Sequence, residues 1–270
     1  MAHDQTRLSW GVSLAKRTGM LPSVLGRCVT RFPPRKLDPE SVCTRVVARL
    51  IEELACVDIA PDSPIWRDLM HGPETIGELR VYRGRGRVQK VVSSRFALSS
   101  PSMDSHSVVV FTQPDSPVPH FGLDSVRLDQ RVHLYVDLLP KCDLSVSLAY
   151  LDRCYVPLTE VRDELEHDTR FTPSQAPLRH RALLSPWHAL YTLEPGDLDA
   201  AEQYVDRYVS HWASLLRSDA PELHKDPSLV ARDALYRKTL YSREVDPAWG
   251  LLDRVIGQDT VDDILAALSG

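Results

Sequence analysis

One aspartate stands out as a group that could do acid–base chemistry. The segment Pro117-Val-Pro-His-Phe-Gly-Leu-Asp124-Ser-Val126 leads from a rigid proline-rich stretch into strand-forming residues and sets a carboxylate among apolar neighbours. Strand side chains alternate, so Phe121, Leu123 and Ser125 share one face, and Gly122, Asp124 and Val126 share the other. In a sheet covered on both faces, Asp124 would point into the protein. A carboxylate placed there is either satisfied by hydrogen bonds or kept partly protonated by desolvation, and the second state is a proton donor near neutral pH. A second acid, Asp246, lies in Arg243-Glu-Val-Asp246-Pro-Ala-Trp-Gly250. Because it precedes Pro247, it reads locally as a helix N-cap.

These residues need elements to hold them. Pro39-Glu40 after Asp38 signals a first helix, continued by Val42, Val46, Val47, Leu50, Ile51 and Leu54 on one side. Short β-rich runs follow: Leu79–Tyr82, Val88–Leu98, His106–Phe111, Phe121–Val126 and Val132–Leu138. Their links are short, and a parallel crossover needs a dozen or more residues, so the strands are expected to run antiparallel. A helix is expected from Leu144 to Tyr155, then a charged, proline-broken stretch and a strand from Ala182 to Thr192. Helices are predicted after Gly196-Asp197, from Asp226-Pro227 to about Arg243, over Pro247–Ile256 and over Asp259–Leu268. Helices before and after one antiparallel sheet predict a three-layer α/β/α sandwich. Residues 37–270 form this domain, and residues 1–36 a basic arm. Trp187, Trp212 and Trp249 are expected in the core.

The composition excludes several function classes. The chain has 270 residues, 43% of them hydrophobic, and a formal net charge of -5. That describes an ordinary globular protein with no membrane span and argues against general nucleic-acid binding. Residues 1–36 hold seven basic residues against Asp4 alone, a pattern shared by transit segments and loose basic arms. The five cysteines, Cys28, Cys43, Cys56, Cys142 and Cys154, show no C-x-x-C spacing. Reduced thiols in a reducing compartment are the expectation, with no metal site. Gly84-Arg85-Gly86 lacks the third glycine of a dinucleotide fingerprint and reads as a hairpin turn. No Walker A, H-E-x-x-H or G-x-S-x-G sequence is present. The basic run Arg80, Arg83, Arg85, Arg87 and Lys90 is either a solvated strand and turn or a docking surface for an acidic partner.

Taken in order, Pro119-His-Phe-Gly-Leu-Asp124-Ser-Val126, Val136-Asp-Leu-Leu-Pro140 and Arg243-x-x-Asp246-Pro247 resemble the ferredoxin-dependent bilin reductase superfamily. Within it the sequence is most similar to the red chlorophyll catabolite reductases, which share the Asp137–Leu144 turn, Tyr150–Tyr155 and Arg181–Pro186 patterns. The matches cover roughly residues 105 to 268. The resemblance implies reduction of an open-chain tetrapyrrole by electrons delivered singly from reduced ferredoxin, with no bound cofactor or metal and with protons from protein carboxylates. It maps the two proton donors onto Asp124 and Asp246. A histidine used by some members on the preceding strand falls at Ser107, with His106 one residue away and facing the other side. A glutamate used by the same members falls near Arg95. His120, Phe121 and Ser185 are expected against substrate, with Arg95 and Arg181 pairing propionates through the planar guanidinium fork. The expected setting is a monomer or homodimer in the cytoplasm, or in a plastid stroma if the basic arm is a transit segment. The alternatives are a tetrapyrrole-binding protein without turnover, or an enzyme using this fold for another substrate.

Overall fold

The computed structural model describes residues 39–57, 65–99, 102–218 and 228–270. The basic arm, Cys28, Asp38 and the Asp226-Pro227 helix start lie outside the described residues.

Helix α1 (Pro39–Ala48) forms where the valine spacing predicts it and continues through a wider turn over Arg49–Glu53. Val42, Cys43, Val46 and Leu50 form its buried side. Eight strands follow: β1 (Ile65–His71), β2 (Glu74–Arg83), β3 (Val88–Ser99), β4 (Ser102–Thr112), β5 (His120–Leu128), β6 (Arg131–Leu139), β7 (Thr172–Pro173) and β8 (Ala189–Leu193). They lie in the order β1-β2-β3-β4-β5-β6-β8-β7, and every neighbouring pair is antiparallel. The Gly84-Arg85-Gly86 link is a hairpin turn, closed by the N–H of Gly84 donating to the carbonyl of Gln89 at 2.8 Å. Gly86 holds φ +58, which a glycine adopts without the strain a Cβ would add.

Four expectations need correction. The strand from Ala182 to Thr192 is only β8, preceded by a short helix α4 (Leu178–Arg181) and a turn. Pro186 has no N–H to give a ladder, and Ser185 Oγ accepts the N–H of Trp187 at 3.1 Å, so the chain turns there. The helix expected from Leu144 begins later, as α2 (Leu148–Cys154). Asp143 Oδ1 accepts the N–H of Ser145 in a local turn, and Ser147 caps the helix. The proline-broken stretch contains a helix, α3 (Thr159–His167), because Pro157 falls in the 3-10 turn before it, where no N–H is needed. The helix after residue 227 is α6 (Leu229–Leu240), which ends before Arg243.

Helix α5 (Leu198–Arg217) lies with α1, α2 and α3 on one face of the sheet, burying Phe121, Leu123, Tyr208 and Trp212. Burial of each such side chain contributes roughly 1.5–3 kcal/mol. Helices α6, α7 (Pro247–Ile256) and α8 (Gln258–Ser269) cover the other face, over Leu79, Val92, Phe96, Val109 and Val126. The architecture is the expected three-layer α/β/α sandwich with a central antiparallel sheet. Of the three tryptophans, Trp212 is fully buried, while Trp187 and Trp249 are only half-buried. Among the described residues no helix is long and apolar enough to cross a membrane.

Candidate active site

The alternation along β5 separates two environments by one residue. Phe121 points toward α5 and meets Trp212 at a ring distance of 5.9 Å, whereas Asp124 points toward α6–α8. A cleft of about 120 Å³ opens there between sheet and helices. Its floor includes Ser107 on β4, Gly122 and Asp124 on β5, and Tyr135 on β6. Gly122 keeps the floor low, since a Cβ would stand 3.4 Å from the ring of Tyr135. Tyr241, Asp246, Trp249 and Leu252 descend from the helical side, and His180 from α4. An extension of about 50 Å³ shares Asp124, Tyr135, His180 and Asp246 and runs on toward Pro177 and Leu184.

Asp124 keeps some surface open to the cleft, yet the walls withdraw it from bulk water. That burial, with the like charge of Asp246, pushes its carboxyl up to about 7, and no hydrogen bond from the described residues offsets the shift. A carboxyl in that state can hold a proton at neutral pH and give it up. Asp246 is the N-cap of α7: its Oδ1 accepts the N–H of Ala248 at 2.9 Å. Its Oδ2 faces Nδ1 of His180 at 3.7 Å. The N-cap reading and a place in the cleft are compatible, because a carboxylate has two oxygens. Burial lowers His180 from the usual histidine range, and Asp246 partly opposes it.

Of the sequence-predicted site residues, the structure brings together Asp124, Asp246 and Ser107. The Ser107 hydroxyl lies 3.1 Å from that of Ser94 on the cleft floor. Ser185 stands just behind, giving its Oγ–H and N–H to Asp137 at 2.5 and 2.9 Å. Asp137 is fully buried beside Tyr135, and burial raises it to about 7 despite those bonds. The remaining residues lie elsewhere. His106 is buried on the opposite face, with Nε2 2.8 Å from Asp104. Arg95 is also on that face, paired with Glu78 at 2.7 Å. Phe121 is core, and Arg181 is exposed on α4, outside the cleft lining. His120 shares the face of Asp124 but is sealed under α6. Its Nδ1 accepts the N–H of Thr112 at 3.0 Å, and its Nε2–H donates to Asp233 at 2.6 Å. Burial pulls it down to about 3, so it is neutral and structural.

Sequence reasoning missed His180, Tyr135, Tyr241 and Trp249 as lining residues. Tyr135 was within reach, because it pairs directly with Asp124 across the β5–β6 ladder and strand alternation puts it on the same face. His180 carried no local signal; a four-residue helix brings it in.

No family model matches the chain, and no curated protein matches it. Among solved structures, it is similar to phytochromobilin synthase from tomato in complex with biliverdin, with a TM-score of 0.66 and 17% sequence identity. The match covers 86% of this chain and 83% of that one. This likeness shows a common fold.

Proposed function

We propose that this protein reduces an open-chain tetrapyrrole, a bilin or a chlorophyll catabolite, with Asp124 and Asp246 as proton donors and reduced ferredoxin as the one-electron donor. The observation that carries the reading is the position of Asp124: a carboxyl raised to about 7, opposite a second acid, in an apolar-walled cleft between the sheet and the C-terminal helices. The fold is that of a protein solved with biliverdin.

Reducing one carbon–carbon double bond takes two electrons and two protons. Two ferredoxins, each oxidised by one electron, supply the first, and the two acids supply the second. Once an electron has entered a conjugated tetrapyrrole, the radical anion is basic, and the nearest acid determines which atom is protonated. Asp124 from the floor and Asp246 from the helical side approach a flat molecule from different directions. Trp249, Tyr135 and Tyr241 offer aromatic surfaces to it.

A cleft of about 120 Å³ is smaller than sites for ligands of this size, which run from roughly 300 Å³ upward. A ligand of that size therefore needs the cleft to widen. Between α7 and α8, which both line it, Gly257 sits at φ +88, a backbone conformation natural to glycine.

The electron donor would meet a basic surface. Within the basic run, Lys90 donates to the carbonyls of Ala267 and Gly270, Arg87 to that of Ser218, and Arg80 stacks on Trp66. Arg83 and Arg85 are exposed at the β2–β3 turn, and their charges are the candidates for contact with an acidic ferredoxin.

The test is an absorption titration with biliverdin and with an oxidised chlorophyll catabolite, before and after reduced ferredoxin is added. Binding followed by bleaching is the expected result. Binding with no change under reduction would replace this reading with that of a tetrapyrrole-binding protein.

A further inference from the structure

Asp246 divides its carboxylate between two tasks. Oδ1 caps α7 through Ala248, while Oδ2 is turned toward the imidazole of His180, on a different element. Helix α4 is closed by its own backbone, through Arg181 N–H to the carbonyl of Pro177 and Leu183 N–H to that of His180. The direction of the imidazole is thus left to Asp246 and the cleft walls. His180 lines both the main cleft and its extension, and its side chain is 23% exposed against 18% for Asp246. The imidazole is thus partly open to solvent while its Nδ1 faces the acid. The 3.7 Å separation becomes a hydrogen bond after a movement of about 0.5–1 Å, within the reach of a side-chain rotation.

We propose that His180 is the positioning and reloading partner of Asp246, returning a proton to it after each turnover of the reductase. The inference rests on the reductase reading above. In the reductive step, Asp246 as the neutral acid gives its proton to the substrate atom made basic by an electron from ferredoxin, and is left as carboxylate. The imidazolium of His180 then passes its Nδ1 proton to Oδ2, which restores the acid. The neutral imidazole then takes a proton from water, to which its side chain is partly open. One proton enters for each one delivered, and no electron passes through the pair.

The surroundings suit this role. Asp124 faces the pair from β5, Tyr135 from β6, Tyr241 from the end of α6 and His188 from the turn before β8, with Arg179 and Arg181 on α4 itself. Burial raises both tyrosines, so they stay neutral. The arginines are fixed cations. Burial lowers His188 as it lowers His180. A proton held weakly by an imidazole is passed on readily to a carboxylate.

The experiment compares wild type with His180→Gln and His180→Ala, using biliverdin as the probe and reduced ferredoxin as the donor. Biliverdin affinity is measured for each variant by titration, and rates are compared at saturating biliverdin; both variants are expected to lose less in a single first turnover than in the later ones, which depend on reloading Asp246. Steady-state turnover should fall about 100-fold, the scale of a lost proton-transfer group. Added imidazole should restore His180→Ala but not His180→Gln, and the recovery should follow the imidazolium fraction as pH is varied. Steady-state rates within about twofold of wild type would overturn the proposal. So would an equal loss in first and later turnovers with no rescue, which marks a structural role. A wild type that binds biliverdin without bleaching it overturns the reductase reading, and this proposal with it. An independent check needs no turnover: NMR titration of His180 should show its pKa falling in Asp246→Asn, and an unchanged value would show that the two groups are not coupled.

Discussion

Two aspartates withdrawn from water on the α6–α8 side of the sheet, Asp124 and Asp233, have opposite acidities, and the contrast shows how one face can hold both a site and its support. Burial pushes Asp233 upward, but the Nε2–H of His120 and the charges of Lys141 and Arg237 outweigh it and hold the group below the usual carboxylate range. Arg237 approaches at 2.6 Å and Lys141 at 3.4 Å, and both are themselves buried. This cluster ties α6 to β5 and to the segment after β6. Among the described residues Asp124 receives no such partner; the charge that acts on it is another acid, Asp246. Where a carboxylate fixes the helix it is surrounded by cations, and where one faces the cleft its proton is left available. The other face of β5 is apolar at the same level of the strand. One residue along the same strands, it presents Phe121 and Leu123 to Trp212, whose indole N–H ends on the carbonyl of Pro119 at 2.9 Å.

The largest effect is expected at the unpartnered acid. Asp124→Asn should reduce the rate of bilin bleaching by about 100- to 10,000-fold, the range for a lost general acid, while the binding spectrum persists. Its melting temperature should hold or rise, since no hydrogen bond is lost and a costly buried charge is removed. Asp233→Asn should do the reverse. It leaves Lys141 and Arg237 buried without their counter-charge and should cost about 3–5 kcal/mol in a urea titration. The folded fraction should still bleach bilin. If Asp233→Asn stopped turnover in folded protein, or Asp124→Asn unfolded it, the division of labour between the two acids would be wrong. A similar loss of about 3–5 kcal/mol is expected for Trp212→Ala on the far face, again without a change in the chemistry of folded molecules.

Most of the fold could be read from the sequence because its signals are local. The valine spacing in α1, the alternation in β5 and β6 and the glycine turn at Gly86 all report neighbours a few residues apart. The site was legible to the extent that it lies on those strands: Asp124 follows from the pleat, and Ser107 was reached through the family resemblance. Asp246 was visible as an N-cap, but its second oxygen was not. His180 could not be found in this way, because its place depends on α4 folding back across the end of the sheet after β7. The errors have the same cause in reverse. His120 and Phe121 adjoin the site in sequence, but packing turns Phe121 into the α5 core and closes α6 over His120. Arg95 and His106 lie on the right strands with the wrong parity.

A smaller effect is expected from pH. Burial pushes Asp124 and Asp137 each up to about 7 in the folded state, above the 3.8 of an ordinary aspartate. The folded state therefore binds more protons than the unfolded chain, and the stabilisation is complete below pH 4 and lost as pH rises through 7. Thermal melts should show stability from these groups declining between about pH 4 and pH 7 and levelling off above. Asp124→Asn should remove its share of that slope and leave the share of Asp137. Asp233 contributes with the opposite sign and in a lower window: its stabilisation is complete above about pH 4 and is lost as pH falls below that. Removing it should leave the slope between about pH 4 and pH 7 as it is and remove a loss on the acid side. A slope over that range in Asp124→Asn equal to that of wild type would mean that the two acids do not differ.

The smallest effect should come from Ser107. It pairs directly with Asp124 across the β4–β5 ladder, and its hydroxyl touches only the floor partner Ser94. A hydroxyl has no proton to give near neutral pH. Ser107→Ala should therefore cost about 0.5–1.5 kcal/mol for the lost hydrogen bond and change the bleaching rate by less than about threefold. The value of so mild a substitution is its position, as close to Asp124 as Tyr135 is on the other side. A large loss of turnover in Ser107→Ala, with normal stability and normal biliverdin binding, would show that Asp124 depends on a partner from β4. The unpartnered state of that acid, on which its contrast with Asp233 depends, would then belong only to the closed cleft.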